Sequence, residues 1–519
     1  VLHPQVNAAL QGFGNRTAGR VTAQKVFGEN GELLEITLLD YDNEGRLTTM
    51  LKQFDPVGIT ATRFGRADAV RYPAYNLNGT VNQQDTDIGC DGRADFSQLF
   101  DYDAWGRLET VRVRHGRGTD KVAKYLYHDG LGLLRGVIHY ANADSTGNCP
   151  LTSLPADTIL YSYDQQDRLT GFGSRFLDYG LAYDATNVNY LGGANPTGAA
   201  VVNTSQNWAG GINGWKAKYK VSASSVTGFD GATVYGFQYD GLHRLVAADA
   251  AVMEQPFTGQ NGWNNAGGFG TPLLATRAAW YGDEKYAYDK VGNLTGLRRY
   301  KYYAPGAPTP GLVGDNWKYQ YTQGTNRLAK LQTAGMQDIR FTYDGNGNLL
   351  TDSKKGITVT QMGRNDLPAE MTFSGGGTAK YRYASGGRVY KTVIGTNGTA
   401  NEYYLRDAGG APLGVYSEQD STWTLQIYGL DLIGEMVLKA QGDSVARYAN
   451  QDSVVPNTTI TKSATVGTGR DLSVPKRVVK NVILGIAVGI QQSLAIQNHS
   501  EERPKFLDQI STFLVPILA

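Results

Sequence analysis

A nine-residue pattern recurs along this chain, and internal repetition restricts a fold more than any other sequence feature. The pattern is an aromatic residue or Leu, any residue, Tyr, Asp, two residues, a turn residue, Arg or Asn, then Leu. Six segments follow it, with Tyr-Asp at Tyr41-Asp42, Tyr102-Asp103, Tyr163-Asp164, Tyr239-Asp240, Tyr288-Asp289 and Tyr343-Asp344. They close on Gly45-Arg46-Leu47, Gly106-Arg107-Leu108, Asp167-Arg168-Leu169, His243-Arg244-Leu245, Gly292-Asn293-Leu294 and Gly347-Asn348-Leu349. Three looser copies begin at Tyr127, Tyr321 and Tyr383. The first two carry a one-residue insertion, and the third has Ala384 in place of Asp but keeps Gly387-Arg388-Val389.

The pattern predicts a β-hairpin. Two large residues two apart fall on one face of a strand. The Asp then opens a turn, where its carboxylate accepts bonds from backbone N–H groups two or three residues on. The fourth residue after Tyr needs a left-handed backbone, as in a type I turn closed by a bulge. Its occupants are Gly45, Gly106, Asp167, His243, Gly292, Gly347 and Gly387. Glycine is free at positive φ, and Asp and His are among the few other residues enriched there. Ile or Val at Gly106 is therefore expected to disrupt its turn. The Arg or Asn starts the return strand, and the following Leu or Val puts an apolar side chain back on the sheet.

Composition agrees with this reading. There are 65 glycines and 32 tyrosines, as many short strands and tight turns require. A hydrophobic share of 41% excludes wholesale disorder. The 49 basic and 48 acidic side chains nearly cancel, which excludes a strongly basic nucleic-acid binder. The longest apolar run, Val482 to Ile490, is far short of the ~20 residues that span a bilayer, so no transmembrane segment is expected. Val1 opens the chain with no apolar signal core after it, as in a processed product or a fragment. Cys90 and Cys149 are too few for a disulfide framework; one bridge and two thiols both remain open.

The late segments Arg388-Val389-Tyr390-Lys391, Glu402 to Gly410 and Ile427-Tyr428-Gly429 add to the pattern. Together with these, the Tyr-Asp…Gly-Arg-Leu units resemble the YD repeats of the Rhs (rearrangement hot spot) family, over roughly residues 30 to 440. The resemblance implies an all-β fold: hairpins forming a long, spiralling antiparallel sheet, a hollow shell or barrel that is whole or partial. In bacterial polymorphic toxins and insecticidal toxin complexes such a shell encloses a C-terminal toxic domain; in animal teneurins a similar barrel serves adhesion. Full Rhs shells are longer, so the resemblance implies part of a shell or an open spiral. The family's self-cleaving motif is absent: the single Asp-Pro pair, Asp55-Pro56, lies near the wrong end and in the wrong context. No catalytic aspartates are carried over.

The organisation expected is a lead-in over residues 1–30, the repeat sheet over 31–440, and an atypical segment over 441–519. Long loops are expected near 184–235 and 250–285, both rich in Gly, Asn, Ala and Ser, and a Pro-rich connector at Tyr303 to Leu312. In the last segment Val478 to Ile496 reads as an apolar helix, so this end is a cap, a plug or the start of a cargo.

Signatures of catalysis are lacking: no GxSxG, no phosphate-binding loop, no GxGxxG and no HExxH. His115, His128 and His139 match no ligand spacing. Asp87, Asp91 and Asp95 stand at positions one, five and nine of a glycine-punctuated stretch, as oxygen ligands do in calcium loops. Gly89 and Gln98 occupy positions where such loops need oxygen ligands, so an Asp-rich turn is the competing reading. Arg112, Arg114, Arg117, Lys121 and Lys124 form a basic run, read as a solvated face or an anion patch. The tyrosines are read as core or cavity lining, with sugar stacking as the alternative.

The function expected is structural and not enzymatic: a secreted or cell-surface shell around a toxin or effector, needing no cofactor. Its partners would be that cargo and a delivery or secretion apparatus. The alternatives are an extracellular adhesion module that binds a surface glycan or protein, and a C-terminal segment that is itself toxic.

Overall fold

The computed structural model describes residues 20–27, 33–54, 66–115, 118–130, 132–140, 155–174, 177–183, 187–189, 201–203, 211–219, 231–254, 284–300, 313–333, 335–363, 365–384, 387–396, 398–441, 444–445 and 456–457. The fold is all-β; among the described residues there is no helix. Among the described residues neighbouring strands pair antiparallel. The chain divides into two compact units, residues 158–357 and the remainder on either side of them.

In the unit formed by the two ends, an early layer runs from Ala23–Phe27 and Leu33–Tyr41 through Leu47–Phe54, Arg66–Tyr75 and Val81–Ile88 to Phe96–Tyr102, Leu108–His115 and Gly118–Tyr127. Each strand pairs with the next. Residues paired across antiparallel strands share a face. One face gathers Ile36, Leu38, Leu51, Ala67, Ala69 and buried Cys90 into a cluster. Cys149, the other cysteine, lies outside the described residues.

A late layer is built the same way from Thr378–Ala384, Gly387–Gly395, Gly398–Arg406, Pro412–Ser417, Thr422–Tyr428 and Leu432–Gln441. Its register puts Tyr390, Tyr403, Tyr416 and Trp423 side by side across four strands, ring centroids 4.9, 5.9 and 5.6 Å apart. The two layers touch directly. The Phe54 ring lies 5.5 Å from both Tyr390 and Tyr403. The Tyr428 N–H donates to Gln98 Oε1 at 2.9 Å, and the Leu430 N–H to the Tyr125 hydroxyl at 3.1 Å. Met50, Val70, Ile427 and Met436 are sealed from water, so burial of apolar area holds these layers.

The second unit continues the meander from Leu169–Gly173 and Leu177–Tyr183 to Ile339–Tyr343 and Leu349–Asp352. Phe172, Tyr179 and Trp215 stack across three of its strands at 5.1 and 5.4 Å. Trp215 corrects the loop expected over 184–235. Ile212–Tyr219 is a strand, paired with Leu177–Tyr183 on one side and Gly231–Tyr239 on the other, and Asn187–Asn189 pairs with Val201–Asn203. The glycines and asparagines around it mask a short alternation in which Trp215 and Ala217 share a face. Leu245–Glu254 likewise extends into the second expected loop. The Pro-rich connector and the apolar Val478 to Ile496 stretch lie outside the described residues.

Candidate functional site

The repeat places its polar residues along the turns, and there they form one recurring device. Asp103 shows it. Its Oδ1 accepts the N–H groups of Trp105 and Arg107, each at 2.9 Å, and its Oδ2 accepts Arg107 Nε at 2.6 Å. Asp42, Asp164 and Asp240 repeat all three bonds. In the copies at Asp289 and Asp344 the side-chain donor is Asn293 Nδ2 or Asn348 Nδ2. The turn closes with the Gly106 N–H on the Asp103 carbonyl at 3.0 Å and the Asp103 N–H on the Arg107 carbonyl at 2.9 Å. The ladder slips between Asp101 and Tyr102, which is the expected bulge. The left-handed slot is as expected: φ is +85° at Gly45, +77° at Gly106, +60° at Asp167, +58° at His243, +95° at Gly292, +98° at Gly347 and +118° at Gly387.

These bonds set the charge state. Burial pushes the Asp103 carboxyl up, but the Arg107 N–H and guanidinium outweigh it and hold the group below the usual carboxylate range. The same balance holds Asp164 and Asp240 low. Such carboxylates stay ionised and bonded at neutral pH and are poor proton carriers there.

The tyrosines do something the sequence reading did not assign. Several of these hydroxyls reach the preceding hairpin and donate to a backbone carbonyl at the start of its return strand. Tyr102 bonds Val81 O at 2.9 Å, Tyr127 bonds Leu108 O at 2.8 Å, and Tyr183 bonds Leu169 O at 2.9 Å. Tyr321 bonds Leu294 O at 2.8 Å, Tyr343 bonds Leu328 O at 2.9 Å, and Tyr383 bonds Pro368 O at 3.0 Å. The arginines lean the other way. Arg46, Arg107, Arg168 and Arg244 lie over the rings of Tyr75, Tyr127, Tyr183 and Tyr288 in the next hairpins, at 4.9, 4.3, 4.5 and 4.8 Å. Burial pushes the Tyr127 and Tyr183 hydroxyls up to about 12, so they remain donors. The tyrosine is thus a strut between hairpins as well as a filler.

Three further turns use the device in altered form. Tyr75 bonds Leu47 O, and its turn runs through Asn76 and Gly79 at φ +85° to Thr80, whose hydroxyl accepts Asn76 Nδ2 at 2.8 Å. A second turn places Asp366 at φ +56° before Leu367. In the third, Asp407 caps Ala411 N–H at 2.8 Å, and Arg406 stands where Tyr belongs and donates from Nε to Arg388 O at 2.9 Å.

The other candidate residues are placed as follows. Asp87 is fully buried and accepts the N–H groups of Asp91 and Gly92 at 3.0 and 2.9 Å, with Arg71 Nη1 at 2.7 Å. Asp91 caps the Arg93 N–H, and Asp95 accepts the Ile88 N–H at 2.8 Å. The three carboxylates therefore serve a backbone turn and do not converge; among the described residues no three His, Cys, Asp or Glu side chains are grouped to hold a metal. His115 faces Asp120 at 3.1 Å. In the basic run Arg112 pairs with Asp101 at 2.6 Å, Lys124 with Glu109 at 3.1 Å, and Lys121 lies over the Tyr140 ring at 4.8 Å, while Arg117 lies outside the described residues.

No protein-family model and no curated protein matches the chain. Among solved structures, the Tc holotoxin pore of Photorhabdus luminescens is similar at 13% identity and a TM-score of 0.41, over 81% of this chain and 22% of that one. TcdB2-TccC3 without its hypervariable C-terminal region is similar at 16% identity and a TM-score of 0.35, over 81% of this chain and 21% of that one. A porin-like protein from Bacteroides uniformis gives 10% identity and a TM-score of 0.19, over 45% of this chain and 88% of that one. The chain spans about a fifth of the length of the toxin-complex chains that it matches.

Proposed function

We propose that this chain is a structural, non-enzymatic section of a YD-repeat β-shell that encloses or carries a toxin or effector outside the cell. The observation that carries the reading is the strut. An ordinary sheet joins hairpins by ladder bonds alone, whereas here many turns are also tied to a neighbour by a tyrosine hydroxyl, by an arginine laid on a tyrosine ring, or by both. A wall so braced resists local opening and exposes few free strand groups to proteases. The partners are the cargo and the apparatus that delivers it, and neither needs a cofactor held by this chain. The early and late layers of the two-ended unit touch, so a guest does not lie between those two faces.

Protection of the C-terminal end tests the reading. One version of the full chain carries a site-specific protease sequence after Ala519, and a second carries it before Val1. Under native conditions the first site should be cut at least about ten times more slowly than the second, and equally fast once the protein is denatured. Equal native rates would overturn containment.

A further inference from the structure

The copy at Tyr383 keeps its arginine after losing its acid. Ala384 stands where the other copies have Asp, and the turn is tighter: Tyr383 pairs with Arg388, and Ala384 with Gly387. Arg46, Arg107, Arg168 and Arg244 each hold a carboxylate of their own turn, at 2.6 to 2.7 Å. Arg388 has none. Its guanidinium is set between two rings, 5.0 Å from Tyr381 and 5.2 Å from Tyr404, and its Nη1 donates to the Tyr404 hydroxyl at 3.3 Å. Among the described residues its buried Nε has no hydrogen-bond partner. The protein thus offers this guanidinium fewer acceptors than it has donors.

The charges around it do not close the account. Tyr404 donates onward to Glu402, and Glu402 is taken by Lys391 Nζ at 2.8 Å. Among the described residues, one carboxylate therefore serves two cations, Lys391 directly and Arg388 through Tyr404. Tyr381, Lys391 and Glu402 share one face, because they are paired across three strands. The opposite face holds Tyr390, Tyr403 and Tyr416 against Phe54 and their own neighbours, so this cationic group lies on the side turned away from that contact.

We propose that Arg388, framed by Tyr381 and Tyr404, is a binding site for a carboxylate that comes from outside its own turn. A guanidinium whose plane is fixed by two rings is pre-oriented for a planar two-oxygen acceptor. The source is either an acidic side chain of a docking peptide or a small carboxylate.

Arginine-selective ¹⁵N labelling of the full chain tests this. The Arg388 side-chain resonance is assigned by its loss in Arg388→Lys, a variant that keeps the charge. The protein is titrated with sodium acetate at constant ionic strength, and separately with a blocked Gly-Asp-Gly peptide. The Arg388 signal should shift and saturate, with half-saturation in acetate at about tens of millimolar, while Arg107, which already holds Asp103, stays put. Tighter saturation by the peptide, by about tenfold, identifies an acidic side chain as the source; equal or weaker saturation identifies a small carboxylate. No saturable shift with either probe, or the same shift at Arg107, overturns the proposal.

Discussion

At the scale of a residue, the repeat is governed by one backbone angle and one carboxylate. Gly106 sits at φ +77°, and a Cβ built there would lie 2.8 Å from Asn78 Nδ2 in the neighbouring turn. A β-branched side chain meets both obstacles. Gly106→Val should cost about 2 kcal/mol or more, and Gly106→Asn clearly less, because Asn visits this region more readily. Urea unfolding of the two variants measures the difference; equal losses would show that the angle does not matter. Asp167 and His243 fill the same slot at +60° and +58°, so the position asks for tolerance of the angle and not for glycine as such.

At the scale of the hairpin, the strut ties one element to the next. Tyr127→Phe removes the bond to Leu108 O and keeps the ring beneath Arg107. It should lower stability by about 1 kcal/mol, and Tyr127→Leu by more, since the cation then loses its aromatic face. Hydrogen exchange in Leu108–His115 and Gly118–Tyr127 should rise in step, and unchanged exchange would deny the strut a role. The hairpin and its turn were legible because each is contained in nine consecutive residues. The strut was not, because its acceptor lies in another copy. One signal did point to it: the repeat is built on Tyr, whose hydroxyl a purely apolar packing position does not need. The altered turns at Asn76, Asp366 and Asp407 escaped for a related reason. Each keeps the left-handed slot but changes a partner, with Thr80 for Arg or Arg406 for Tyr, and the hydrogen bond survives the exchange of chemistry. The strand at Ile212–Tyr219 was hidden because its pairing partners, and not its own composition, make it a strand.

At the scale of the whole molecule, strands far apart in the chain meet within one unit, and an acid sits beside their contact. Asp431 lies in the turn after Tyr428, beside the Leu430 N–H that reaches Tyr125. Burial pushes its carboxyl up to about 6. Its folded-state value is therefore above the unfolded ~3.9, so the fold prefers the protonated form. The stability it contributes is full below about pH 4 and is lost as pH rises through about 6. The turn aspartates have the opposite sign: held low, they contribute above about pH 4, and that contribution is lost on acidification through their folded-state values. Asp431→Asn should thus raise the melting temperature by a few degrees at pH 7.5, for about 1–2 kcal/mol, and change it little at pH 4. A gain of equal size at both pH values would mean that the charge is not the cause.

The tyrosine struts also run in one direction. Tyr102 bonds residue 81, Tyr127 residue 108 and Tyr183 residue 169, and in each case the acceptor precedes the donor in the chain. On a ribosome, the acceptor has already left the exit tunnel when its tyrosine emerges. Each new hairpin can lock onto finished structure at once, without waiting for anything still to be translated, so a long wall of this kind grows hairpin by hairpin from its N-terminal side.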